Sequence, residues 1–194
     1  MEIPRYTQIT TRVTKDFPIN PWFLEKLVTT RMMVQSFQLV YQLCLMINAK
    51  RILELGLGSE GLSTYIFIQA LRETGGKLIT VEKREEFNYN YGHFNTYDRN
   101  IWTLIHGDDL EMTFDEPFDM IMIDTDHEEG HTEKELAKYH PLLKKGGYLF
   151  LHDTELPGVI NPMNRFMLNH PQEYELVYTE NWYPQLSVLR KVYL

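Results

Sequence analysis

The sequence predicts an α/β domain built on a doubly wound, mostly parallel sheet of seven strands that closes with an antiparallel C-terminal hairpin. Three observations support this fold class. Strand-like and helix-like segments alternate from residue 51 onward. Residues 120–123 and 148–151 are continuously apolar, as expected for strands covered by helices on both faces. After Asp153 the pattern changes to one helix and two strands, which are separated by a turn short enough for a hairpin.

The individual elements follow from hydrophobic periodicity and turn residues. Two prolines, Pro18 and Pro21, precede a helical region over 21–47 that divides into two pieces. Gly146 and Gly147 are interpreted as a helix-to-strand turn, since glycine often ends helices. We expect residues 1–194 to form a single domain in which 1–48 make an N-terminal helical cap or lid. Strands are predicted at 51–56, 77–82, 101–106, 118–123, 147–152, 173–180 and 185–192, and helices at 61–73, 84–96, 129–143 and 159–169.

Composition indicates a globular protein and excludes several partners. The 194 residues are enough for one sizeable core, and 43% of them are hydrophobic. The formal net charge is −8 with scattered basic residues, which argues against nucleic acid as a partner. No apolar run approaches the roughly 20 residues of a membrane span, and no signal-peptide core is present. The single cysteine, Cys44, forms no internal disulfide and fits a cytoplasmic location.

The segment 51–64 predicts a strand, a tight turn and a helix, with glycine at positions 56, 58 and 61. Glycines at this spacing let the backbone approach a ligand, and the next helix offers free N–H groups. Glu82 ends the second strand, where its carboxylate can accept both hydroxyls of a ribose. This order of elements is typical of sites for NAD or S-adenosylmethionine (SAM). The alternative is a turn without a ligand and a surface glutamate.

Three features favour SAM over NAD. Glu54 lies two residues before the first glycine, helices precede the first strand, and the sheet closes with an antiparallel hairpin. From about residue 34 to its end, the chain resembles the class I SAM-dependent methyltransferases, whose first motif is an acidic residue followed by Gly-x-Gly. The resemblance implies a Rossmann-like methyltransferase fold and SAM as the cofactor.

The same resemblance implies a set of cofactor-binding residues. Gly56 and Gly58 would face the methionine part of SAM, and Ser63 would bind its carboxylate. Asp108 or Asp109 would lie near the adenine, although a helix N-cap explains one of the two at least as well. The expected set is Glu54, Gly56, Gly58, Gly61, Ser63, Glu82, Asp108, Asp109 and Asp124.

Acidic and imidazole side chains end two further predicted strands. Asp124, followed by Asp126 and His127, ends one strand, and His152 and Asp153 end the next. Because neighbouring strands lie about 5 Å apart, Asp124, His152 and Asp153 are predicted to form a metal site at one sheet edge. Carboxylate oxygens suit Mg²⁺, our first expectation, and an imidazole extends the choice to Fe, Zn or Co. Helix caps and a core histidine are the structural alternatives.

These two clusters resemble those of metal-dependent O-methyltransferases of the catechol and caffeoyl-CoA type. They are closer still to the bacterial branch of macrocin-type sugar O-methyltransferases and cephalosporin hydroxylases. The resemblance implies methyl transfer from SAM to a hydroxyl group of a small molecule, such as a phenol or a sugar. Asp124 would bind the metal and help hold the SAM amino group. His127, where catechol-type enzymes carry lysine, would be the general base, with His131 as the alternative.

Two other functions stay open at this point. One is an NAD-dependent oxidoreductase on the same loop, and the other is a SAM-binding protein without catalysis. The sequence does not identify the methyl acceptor. A homodimer that completes the pocket is a further expectation.

Overall fold

Alternating strands and helices build a three-layer arrangement in the computed structural model, which describes residues 21–30, 34–58, 60–84, 99–181 and 183–193. The strands are β1 (Arg51–Leu55), β2 (Lys77–Glu82), β3 (Trp102–His106), β4 (Phe118–Ile123), β5 (Leu143–His152), β6 (Tyr174–Thr179) and β7 (Leu186–Lys191). The helices are α1 (Pro21–Thr30), α2 (Val34–Met46), α3 (Leu62–Thr74), α4 (Glu129–Tyr139) and α5 (Pro157–Asn169).

The strands form one seven-stranded sheet in the order β3-β2-β1-β4-β5-β7-β6. The first five of these strands are parallel, whereas β7 is antiparallel to both of its neighbours, β5 and β6. The predicted fold class is therefore confirmed, including the antiparallel C-terminal hairpin. The chain extends the sheet in one direction from β1 to β3 and in the other direction from β4, so the order reverses between β1 and β4. Ligands of open α/β sheets bind at such a switch point.

Two hydrophobic layers cover the sheet, one on each face. Side chains such as Ile52 and Met122 belong to a cluster with residues of α2 and α3. Their neighbours along the strands, such as Leu53 and Ile123, belong to a second cluster with residues of α4 and α5. Successive side chains of a strand point to opposite faces. The continuous apolar runs in the sequence therefore reflect burial on both sides.

The boundary between α4 and β5 differs from the prediction. The α-helix ends at Tyr139 and a short 3-10 turn follows, while β5 begins at Leu143 rather than at 147. Gly146 and Gly147 are thus inside the strand and do not form a helix-to-strand turn. A Cβ atom on Gly147 would lie 2.6 Å from the carbonyl oxygen of Asp119, so this glycine allows β4 and β5 to approach where their register shifts.

The N-terminal helices pack on the domain. Phe23 of α1 is fully buried and stacks on Tyr65 of α3, with ring centroids 4.8 Å apart. Lys26 forms an ion pair with Glu60, in the loop before α3, at 2.9 Å. Residues 1–20 and 31–33 of the expected cap, and residues 85–96 of the helix expected at 84–96, lie outside the described residues. None of the helices described here has the length and apolar character that crossing a bilayer requires.

Asp119 connects three strands at the amino end of the sheet. One carboxylate oxygen accepts hydrogen bonds from the backbone N–H groups of Lys50 and Arg51, at 2.9 and 2.8 Å. The other accepts from Nζ of Lys144 in β5, at 2.8 Å. Burial opposes ionisation of Asp119, but Lys144 and the two amides outweigh it and lower the pKa of the carboxyl.

We expect Asp119→Asn to lower the free energy of unfolding by about 2 kcal/mol at pH 7, because charge-assisted hydrogen bonds are lost. A lowered pKa means that this stabilisation is complete above the ordinary carboxyl pKa near 4 and is lost as the pH falls through the pKa of the folded state. The difference between wild type and variant should therefore shrink below about pH 4. Urea unfolding at several pH values measures it, and a difference that stays constant down to pH 3 would contradict the assignment.

Candidate functional site

The carboxyl ends of β1, β2, β4 and β5 form the candidate site. Hydrogen bonds continue past the strands: the N–H of Gly56 donates to the carbonyl of Val81, and that of Asp124 donates to Leu55, both at 2.8 Å. The segments after neighbouring strands are thereby kept side by side. Two cavities, with volumes of about 230 and 340 Å³, open at this edge.

The glycine loop approaches the end of β4 more closely than any side chain would allow. Gly56 has a φ of +84°, and a Cβ atom there would lie 1.8 Å from the carbonyl oxygen of Asp124. Gly58 also has a positive φ, of +65°, but a Cβ atom there would meet nothing within 4 Å. It faces open space in both cavities. The first glycine is therefore required by packing, and the second leaves room for a ligand next to the backbone.

Glu54 positions the glycine loop through hydrogen bonds to the segments next to it. Its side chain is 0% exposed, and its carboxylate accepts hydrogen bonds from Ser63, Thr64 and Thr80 at 2.6–2.7 Å. Burial raises the pKa of Glu54 to about 7 despite these three hydroxyl donors. The residue joins β1, β2 and the first turn of α3, and it therefore positions the loop. Direct contact with a ligand would require these hydroxyl groups to move.

Glu82, predicted as a ribose-binding residue, lines the larger cavity and is almost completely buried. It accepts a hydrogen bond of 3.0 Å from the N–H of Leu57, in the glycine loop. It also accepts bonds from the backbone and guanidinium of Arg84. Burial opposes ionisation, but Arg84 and the backbone amides outweigh it and lower the pKa of Glu82. The Arg84 side chain is 56% exposed, so a ligand could take its place.

The two aspartates after β3 have different surroundings. Asp108 caps a 3-10 turn by accepting from the N–H of Leu110 and forms an ion pair with Lys83 at 2.8 Å. Asp109 is buried and lines the larger cavity. The capping interpretation thus fits Asp108, and Asp109 is the one placed to face a ligand.

The predicted metal-binding residues come together. Oxygen atoms of Asp124 and Asp153 and a ring nitrogen of His152 all lie within 4.8 Å of one another. Nδ1 of His152 is buried and lies 3.3 Å from Asp124 and 3.1 Å from Asp153. Asp153 has a φ of +54°, which costs a non-glycine residue on the order of 1–3 kcal/mol. The residues present fit a divalent metal ion.

Only one of the two candidate bases faces this cluster. Nε2 of His127 lies 3.0 Å from Asp153 and 3.9 Å from Asp124, and its side chain is 38% exposed. His131 instead lies 3.2 Å from Asp109 and 3.8 Å from the buried Glu135, and its side chain is only 14% exposed. The geometry therefore favours His127 over His131 as the residue that faces the cluster.

Charges within the cluster are strongly coupled. The carboxylates of Asp124 and Asp153 raise the pKa of His127 to about 10. Burial opposes protonation of His152, but the same carboxylates outweigh it and raise its pKa. Burial likewise opposes ionisation of Asp124, and the two imidazoles outweigh it and lower the pKa of the carboxyl. Two protonated imidazoles thus balance two carboxylates, and a divalent cation carries the charge that could replace both protons.

The smaller cavity contains residues that the sequence did not single out. Glu180, which follows β6, is 4% exposed and accepts a hydrogen bond from Ser36 of α2. Both residues line the cavity, together with apolar side chains including Phe37 and Leu186. Ser36 and Glu180 are 144 positions apart in the chain, so no local pattern could have paired them.

Comparison with known proteins identifies the fold. The sequence profile of a family described as a methyltransferase domain matches residues 53–154, just over half of the chain. No match is found among curated proteins.

Solved structures of several methyltransferases are similar to this chain. A Staphylococcus aureus protein provisionally assigned as a caffeoyl-CoA O-methyltransferase has a TM-score of 0.72 at 22% identity, covering 89% of this chain and 93% of that one. An O-methyltransferase from Bacillus cereus, in complex with SAH, has 0.68 at 18%, covering 90% and 92%. TomG from Streptomyces achromogenes, in complex with SAM and involved in tomaymycin synthesis, has 0.69 at 16%, covering 91% and 92%.

A matched pair of glycine variants tests the close approach at the site. We expect Gly56→Ala to lower the free energy of unfolding by at least about 3 kcal/mol, because the new methyl group collides with the backbone of Asp124. Gly58→Ala should cost only about 1–2 kcal/mol, since it adds conformational strain without a collision. Urea unfolding of both variants measures the difference, and equal losses would show that the close approach is not limiting.

Proposed function

The chain belongs to the methyltransferase domain family, and on this premise we propose that it transfers a methyl group from SAM to a hydroxyl group of a small molecule, assisted by a divalent metal ion. The observation that carries the proposal is the junction of the two cavities. Gly58 and Asp124 line both of them, so a ligand on the glycine loop would meet a second ligand beside Asp124.

The larger cavity suits the nucleoside part of SAM. Glu82 would accept the ribose hydroxyls in place of the bonds from the Arg84 guanidinium, and Asp109 would face the adenine. Gly58 leaves space for close approach of the donor. Ser63 and Gly61 line the smaller cavity, where the methionine part would extend. The co-crystallised donor or its product in the similar structures supports this choice of ligand.

Asp124 lies where the donor and the acceptor would meet. Its ionised carboxylate can accept hydrogen bonds from the amino group of SAM. The donor supplies a methyl group on a positively charged sulfur, which makes correct alignment with the acceptor oxygen the main requirement. The rigid backbone contact between Gly56 and Asp124 keeps the two binding regions in a constant relation.

Asp124, His152 and Asp153 would hold the metal ion, with two carboxylate oxygens and one imidazole nitrogen. A divalent ion supplies charge that lowers the pKa of a bound hydroxyl group. The position of His152 supports this assignment, because its Nδ1 atom lies 3.3 Å from Asp124 and 3.1 Å from Asp153, where all three side chains can reach one ion.

His127 would take the proton from the acceptor. At a pKa of about 10 it is protonated at neutral pH, and in that form it is not a base. A cation beside Asp124 and Asp153 would oppose its protonation, since like charges disfavour each other. The proposal therefore couples the activity of this base to the charge state of the two carboxylates.

The acceptor would occupy the smaller cavity. Its apolar wall, including Phe37, Val40 and Met122, suits an aromatic or other flat ring. Glu180 and Ser36 offer polar groups on the same cavity, which suits a molecule with more than one hydroxyl group. Phenols and sugar-like compounds are consequently the acceptor classes we propose.

Methyl transfer from labelled SAM to a panel of phenols and sugars tests the proposal. We expect turnover that EDTA abolishes and Mg²⁺ or another divalent ion restores, and Asp153→Asn should lower kcat by at least about 100-fold because it removes a ligand. Asp115→Asn, an exposed site away from both cavities, is the control and should match wild type. Turnover that is unaffected by EDTA would exclude the metal. Binding of NAD without binding of SAM would favour an oxidoreductase, and SAM binding without turnover of any acceptor would favour a non-catalytic protein.

The base is tested separately with His127→Ala. This change should lower kcat by about 100-fold, the typical contribution of a general base, and leave the Kd for SAM within a few-fold of wild type. His106→Ala, on an exposed residue at the end of β3, provides the control. If His127→Ala retains wild-type turnover, the proton must go elsewhere.

A further inference from the structure

A second cluster of metal-ligating side chains lies at the opposite end of the sheet. We propose that His140, His170 and Glu173 bind a divalent transition metal, zinc by preference, in a site separate from the candidate catalytic one. His140 lies in the turn before β5, whereas His152 and the candidate catalytic site lie at the other end of the same ten-residue strand. At about 3.3 Å per residue, the two sites are roughly 30 Å apart.

The spacing of the donor atoms fits a single ion. One donor atom from each of the three residues lies within 4.8 Å of the others. Nδ1 of His170 lies 3.0 Å from a carboxylate oxygen of Glu173. Bonds of about 2.0–2.1 Å in a tetrahedral zinc site place ligand atoms roughly 3.3 Å apart, so small adjustments would complete the geometry.

Packing positions the imidazole rings of this cluster. The rings of His140 and His170 have centroids 4.7 Å apart. Phe166 lies against both rings, at 5.3 and 4.6 Å, and Tyr174 packs against them at 6.2 and 6.3 Å. The Tyr174 hydroxyl also donates to the backbone carbonyl of His140. Ligands that are already ordered lose little entropy when an ion binds.

One atom of the cluster lacks a partner. Nδ1 of His140 is buried and has no hydrogen-bond partner among the described residues. A buried polar atom without a partner lowers the stability of the fold. A metal ion in the cluster, bound through this nitrogen, would remove that cost.

The nearby positive charge, on Lys191, is held by hydrogen bonds to the backbone. Nζ of Lys191 donates to the backbone carbonyls of His140 and Leu143, both at 3.0 Å. These bonds hold the ammonium group on the backbone, while Glu173 brings one negative charge to the ion. Two imidazoles and one carboxylate are a typical donor set for zinc, with water in the fourth position.

Such a site would link three parts of the chain that are distant in sequence. His140 follows α4, His170 follows α5, and Glu173 immediately precedes β6. An ion here would connect the antiparallel edge of the sheet to the parallel part, and its binding to the folded chain would stabilise the fold.

Metal titration of tag-free protein tests the inference on a background in which the catalytic cluster is disabled by Asp124→Asn and Asp153→Asn. This double variant should still bind one Co²⁺, with the visible absorption of a low-coordinate cobalt site, and Zn²⁺ should displace the cobalt and raise the thermal unfolding midpoint. Adding His170→Gln should abolish the spectrum. Adding Glu173→Gln, on a side chain that is 37% exposed, should weaken binding at least about tenfold.

Two results would overturn the inference. The first is that the double variant binds neither Co²⁺ nor Zn²⁺, which would assign all metal binding to the catalytic cluster. The second is that Glu173→Gln and His170→Gln fold normally and bind cobalt as tightly as the double variant does. Both readouts are independent of methyl transfer, so they remain interpretable if the proposed function is wrong.

Discussion

The candidate site depends on one close backbone contact, between the loop after β1 and the loop after β4. A methyl group on Gly56 would lie 1.8 Å from the carbonyl oxygen of Asp124, so only glycine lets these loops meet. The contact lies where the order of the sheet reverses, with β2 and β3 on one side of it and β5, β7 and β6 on the other. The contact places the glycine loop beside the first aspartate of the acidic cluster. Both cavities then share a wall formed by Gly58 and Asp124, which is what a transfer between two bound molecules requires.

Two groups of buried charge surround this contact, and they are balanced in different ways. Glu54 accepts hydrogen bonds from three hydroxyl groups and has no cationic partner among its hydrogen bonds, so burial raises its pKa. Its role is to position the glycine loop. Asp124 and Asp153 are instead balanced by the imidazoles of His127 and His152. The protons on these imidazoles supply the positive charge that a divalent ion would supply in their place. The same physical requirement, neutralisation of buried carboxylates, thus links the state of the proposed base to the proposed metal.

Prediction from sequence succeeded where local patterns carry the information. All seven strands overlap their expected positions, because short runs of apolar residues bounded by turn residues mark strands in the sequence. The start of β5 was wrong by four residues, since Gly146 and Gly147 were assigned to a turn by their local preference. Tertiary packing against Asp119 overrides that preference. The proximity of Asp124, His152 and Asp153 was predictable because adjacent parallel strands end at one edge. The resemblance already preferred His127 to His131 as the base, and only the structure shows that His127 lies beside Asp153 whereas His131 lies beside Asp109.

By itself, the sequence determined the fold class, the glycine loop and the edge at which acidic and imidazole residues collect, since these follow from periodicity and from the order of elements along the chain. Only the tertiary structure decided which partner each side chain has. Asp108 caps a 3-10 turn, whereas Asp109 lines the larger cavity. Glu180 accepts a hydrogen bond from Ser36, which is 144 positions away in the chain. A cluster of His140, His170 and Glu173 forms at the other end of the sheet. The physical reason is that hydrogen bonding, burial and ion pairing act over a few ångströms in space. The residues that make these interactions come from strands and loops that are distant in the sequence, and their sequence separation does not indicate that they are close in space.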